Sequence, residues 1–64
     1  MKDVRGTMLS IGNRVCIQED IPSVNGMLYK NTICRVEALD ESKVQDRSGK
    51  LWWVSSNQVS ASFL

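Results

Sequence analysis

Histidine is absent from this chain, which removes histidine-based triads and imidazole acid–base catalysis. Cysteine is scarce: Cys16 and Cys34 are the only two, and two thiolates without an imidazole complete no tetrahedral zinc site. Each lies in a β-branched segment, V-C-I and I-C-R-V, where a free cysteine behaves as a small half-buried hydrophobe. A disulfide would require neighbouring strands and an oxidising compartment. No glycine-rich phosphate loop occurs, and the acidic residues fall in turns beside lysines. We therefore expect a protein that is not an enzyme and that uses no cofactor and no metal.

Long apolar runs are also missing. The longest uncharged stretch, residues 51–64, is interrupted by four serines and two amides, so it makes no transmembrane helix. The start, M-K-D-V-R-G-T-M, carries basic residues with no apolar run behind them, unlike a secretory signal, and a cytosolic location is expected. An excess of either charge is lacking as well, since eight Lys and Arg against seven Asp and Glu leave a formal +1. Nonspecific nucleic-acid binding needs several phosphate contacts, so only a local basic patch could serve it.

The residues that are present, 42% of them hydrophobic and 23% charged, are too apolar for disorder. Sixty-four residues make one domain, in which folding buries only about 60% of the unfolded chain's surface. Residues 1–7 show no periodicity and read as a flexible N-terminal tail, leaving 8–64 as the folded domain. Val15 and Ile17 share the core-facing side of a first strand, with Arg14, Cys16 and Gln18 opposite, after a Gly12-Asn13 turn signal. Asp20 to Tyr29 is loop-like, with Pro22 inside it and Asn25-Gly26 at its tip. Its Ile21, Val24, Met27, Leu28 and Tyr29 either fold back over the core or form a binding surface.

Asn31 to Leu39 is a second strand, with Thr32, Cys34, Val36 and Ala38 inward and Leu39 turning in at its end. Val44 points inward from a short strand, and D-R-S-G-K connects it to Leu51–Val54 as a hairpin with glycine where positive φ is required. Trp52 and Val54 face one side of that strand, Leu51 and Trp53 the other. Ser55 to Gln58 forms a tight helical turn before a closing strand in which Val59, Ala61 and Phe63 alternate with serines. Nothing shows a helical period. The expected fold is all-β, a small five-stranded barrel whose closure removes exposed edges.

Three segments carry a family resemblance. I-G-N-R-V-C-I resembles the first strand of KOW-type domains, and K-N-T-I-C-R-V-E-A-L their second, with Asn31 or Thr32 in place of the usual glycine. V-S-S-N-Q-V resembles the proline-serine-asparagine-tyrosine-valine close of signalling Src-homology-3 domains. The resemblance implies a Src-homology-3-like small β-barrel of KOW-like or bacterial type, with a short 3-10 turn before the last strand. Ser55 and Gln58 stand where the signalling family has the proline and tyrosine of its polyproline groove, and its alanine-leucine-tyrosine opening is missing. Polyproline binding is accordingly not implied.

Only one tryptophan of the pair can enter the core, which leaves Trp53 as an exposed aromatic anchor or as a ring capped by the Asp20–Tyr29 loop. The leading expectation is a noncatalytic accessory or regulatory module that binds a protein partner through Trp53, Tyr29, Met27, Leu51 and Arg35. A partner strand added to an open edge is one route. The rival is nucleic-acid binding, RNA or DNA, with Trp53 and Tyr29 stacking on bases while Arg35, Lys43, Arg47 and Lys50 contact phosphates. Self-association through the exposed apolar residues is a third reading.

Overall fold

The computed structural model describes residues 1–63 and contains seven short strands and one 3-10 turn. They are β1 (Arg14–Ile17), β2 (Ile21–Ser23), β3 (Gly26–Leu28), β4 (Ile33–Ala38), β5 (Lys43–Gln45), β6 (Leu51–Trp53), the turn Ser56–Gln58 and β7 (Val59–Ala61). The chain is all-β, with no α-helix among the described residues, and no helix is long and apolar enough to cross a membrane. A five-stranded antiparallel sheet runs in the order β6-β5-β4-β1-β7, and β2 and β3 form a separate hairpin. The sheet is open rather than closed by strand pairing, because β6 and β7 end it on opposite sides.

Alternation along the strands builds the core. Val15 and Ile17 from β1, Cys34 and Val36 from β4, Val44 from β5, Trp52 from β6 and Val59 from β7 are all buried in one cluster. Directly paired residues point to the same face, and the register follows suit: Val15 opposes Cys34, and Val36 opposes Val44, which opposes Trp52. Cys16 opposes Ile33 on the outer face. Both thiols are free, because adjacent strands present Cys16 and Cys34 to opposite sides. Burial pushes the Cys34 thiol up to about 11, with the charges of Asp46 and Cys16 adding to the shift, so it stays protonated at neutral pH.

The Asp20–Tyr29 segment is a hairpin rather than an irregular excursion. Its turn residues are Val24 and Asn25, with Ser23 opposite Gly26 and Pro22 opposite Met27. The expected Asn25-Gly26 turn is displaced by one residue, because Ser23 Oγ accepts from Asn25 N–H and donates to Gly26 C=O and so fixes the tip. Asp20 closes its base by accepting from Lys30 N–H at 2.8 Å. The apolar side chains of this segment divide: Ile21 and Leu28 are buried in the core, while Val24, Met27 and Tyr29 face solvent.

Asn31, just before β4, takes a left-handed φ of 74°, a conformation that asparagine tolerates better than most residues. The Asp46–Lys50 connection uses Gly49 at φ 91° to complete a three-residue hairpin loop.

In place of a flexible tail, residues 1–7 form a hook along the free edge of β7. Val4 N–H donates to Val59 C=O at 2.9 Å, and the Asp3 carboxylate accepts Ala61 N–H at 2.7 Å. The same carboxylate accepts from the N–H groups of Arg5 and Thr7, which shapes the hook. Arg5 then donates to Ser60 Oγ, so Ser60 is buried on the face where alternation alone would expose it. Phe63 is 88% exposed, since β7 ends at Ala61 and the alternation does not continue to it.

Candidate functional site

The two tryptophans separate as strand geometry requires. Trp52 is buried at 5% exposure, whereas Trp53 is 62% exposed. The indole N–H of Trp52 donates to Asp46 Oδ2 at 2.9 Å, and the Lys50 ammonium lies 4.1 Å from the centre of its ring. Asp46 Oδ1 accepts from Ser48 N–H, Ser48 O–H and Lys50 N–H. One carboxylate therefore braces the hairpin loop and the core tryptophan together. Burial alone would raise its pKa, but the hydrogen bonds from Ser48, Trp52 and Lys50 outweigh that and hold it below the usual carboxylate range. Asp46→Asn, which must turn one amide N–H toward these donors, is expected to cost about 1–2 kcal/mol in urea denaturation. An unchanged midpoint would show that the brace carries no stability.

On the outer face Trp53 lies across from Lys43, whose ammonium is 4.9 Å from its ring centre and 3.3 Å from Glu41. Beside Trp53, Leu51 is partly exposed. These side chains meet the β2–β3 turn along an open groove of about 300 Å³ lined by Ile21, Pro22, Val24, Leu51, Trp52 and Trp53. Ser23 and Asn25 also line it, and among the described residues Lys50 is its single charged lining residue. Lys50 spans the groove, donating to Ser23 Oγ at 3.2 Å. The loop and Trp53 thus come together as two walls of one cleft rather than as a ring and its cap.

The other expected site residues are placed elsewhere. Tyr29 and Met27 are exposed, but neither lines the groove. Arg35 shares the outer face with Leu51 at two strands' distance, with Gln45 between them. It ion-pairs with Glu37 at 3.3 Å. With Arg14 and Arg47 it lines a second hollow, of about 490 Å³, on the far side of β5 from Trp53. Lys43 and Lys50, expected as phosphate contacts, are engaged with Glu41 and Trp53 and with Ser23 and Trp52 respectively. Arg14 is a site residue that the sequence reading missed, whereas Pro22 and Val24 entered it only as members of the Asp20–Tyr29 loop. The alternation of β1 places Arg14 outward, and a fully exposed valine at a hairpin turn is a visible signal for Val24.

No protein-family model, curated protein or solved structure matches the chain.

Proposed function

We propose that this is a noncatalytic protein-interaction module, a small cytosolic accessory or regulatory factor that engages its partner at the groove between β6 and the β2–β3 turn. The observation that carries the reading is Trp53, a large ring held exposed beside Leu51 and facing an apolar cleft. An exposed tryptophan offers contact area at little rotamer cost, and such rings anchor interfaces. The strand order, with the consecutive strands β4, β5 and β6 in a meander, the last strand beside the first and a 3-10 turn before it, supports a Src-homology-3-like architecture. Free cysteines suit a reducing compartment.

Trp53→Ala is expected to leave stability within about 0.5–1 kcal/mol of the parent, the scale of an exposed residue with one cation–π contact. Binding of a partner recovered from the source cells should fall at least tenfold, a loss of about 1.4 kcal/mol. Unchanged binding by a folded Trp53→Ala protein would remove the reading.

One observation favours nucleic-acid binding as a second reading. Arg14 and Arg35 are direct cross-strand partners, and Arg47 joins them at the second hollow, which Asp46 also lines. Titration with single-stranded DNA and RNA at low salt decides the matter, since amide shifts at Arg14, Arg35 and Arg47 must respond if this reading holds.

A further inference from the structure

The two edges of the sheet are treated differently. At β7 the outward N–H of Ala61 and C=O of Val59 are satisfied by Asp3 and Val4. At β6 no comparable cover exists among the described residues, and no further strand pairs beyond it. Its hydrogen-bonding direction follows from its partner. Val54 N–H donates to Ser42 C=O and Asp46 N–H to Lys50 C=O, one bond on each side of the Val44–Trp52 pair. The period of two then turns the backbone groups of Trp52 toward β5 and those of Leu51 and Trp53 away from it. Two N–H and two C=O groups thus face outward along the rim of the apolar groove.

We infer that this rim receives an extended segment of a partner protein as a sixth strand, with one apolar side chain entering the groove and a carboxylate meeting Lys50. The inference rests on the protein-interaction reading and specifies the partner's chemistry. An added antiparallel strand would exchange backbone bonds with Leu51 and Trp53, and its flanking side chains would lie against those two on the outer face. Its central residue would oppose Trp52 and point toward Ile21, Pro22 and Val24. A volume of about 300 Å³ lies at the lower bound of ligand pockets and suits one or two side chains. Because Lys50 is the groove's single charged lining residue among the described residues, charge complementarity selects an acidic neighbour for the apolar one.

Selection of random linear peptides on the full chain supplies the probe. Enriched sequences are expected to place Asp or Glu beside a large apolar residue. The binding affinity of the enriched peptide should fall about 3- to 10-fold when the Trp53 main-chain amide is replaced by an ester, which deletes one donor and leaves every side chain in place. In the unaltered protein, amide exchange at Leu51 and Trp53 should slow on peptide binding. A peptide that needs the Trp53 ring but tolerates the ester and leaves amide exchange unchanged would overturn strand addition and spare the interaction reading. Failure to enrich any peptide would overturn the inference. So would concentration-dependent dimerisation that protects the same amides, which would assign the rim to a second copy of the chain.

Discussion

Trp52→Ala is expected to abolish cooperative folding at room temperature. Removing a buried tryptophan costs about 3–5 kcal/mol through lost burial and the cavity left behind. A domain of 64 residues has a total stability of only about 3–10 kcal/mol. The ring also occupies a junction. Its N–H anchors Asp46, whose other oxygen holds the Ser48–Lys50 loop, and its face carries Lys50. Loss of the ring therefore leaves the hairpin brace half-used and the groove without its floor. Near-UV circular dichroism and urea titration test this expectation. Trp52→Phe, which fills most of the volume but cannot donate to Asp46, should retain a cooperative transition at a lower midpoint. If Trp52→Ala keeps a sharp transition near the parent midpoint, the core does not depend on this ring.

The features legible in the sequence were those that repeat locally. Period-two alternation identified Val15, Ile17, Cys34, Val36, Val44, Trp52 and Val59 as inward, and all are buried. The same geometry forced Trp53 outward. Turn chemistry located the Asp46–Lys50 loop because glycine is needed at a specific φ. The Asp20–Tyr29 hairpin was hidden because each of its strands has three residues and contains Pro22 or Gly26, which depress any strand signal.

The treatment of the sheet edges was out of reach for a different reason. Exposed edges are costly, which argued for a barrel, yet β7 is protected by Asp3 and Val4, residues more than fifty positions away. Such long-range pairing leaves no trace in a local window. The two hollows were equally out of reach, because the strand register decides that Trp53 meets the β2–β3 turn while Arg35 meets Arg14 and Arg47.

Removal of residues 1–7 is expected to lower the melting temperature by about 5–15 °C, since for a domain of this size each lost kcal/mol is worth about 4–8 °C. The deletion strips Val59 C=O and Ala61 N–H of their partners and uncovers Ser60, so the shortened chain also presents a bare strand edge prone to association. Asp3 gives the hook a pH signature. The Ala61 N–H bond, aided by those from Thr7 and Arg5, holds its carboxyl below the usual range despite opposing desolvation. A carboxyl with a depressed folded-state pKa binds its proton more readily in the unfolded chain, so stability rises with pH across that interval. The contribution is complete above the unfolded carboxylate range, about 3.9, and disappears as pH falls through the lower folded value. Asp46, depressed in the same direction, adds to the same acid-side loss. The urea midpoint should therefore be flat from about pH 7 to 5 and drop below about pH 4. Asp3→Asn should lie below the parent at neutral pH and converge with it once pH falls below the lowered folded-state value, where the parent carboxyl is protonated. A gap of equal size at both pH values would mean that the carboxylate charge does not hold the hook to β7.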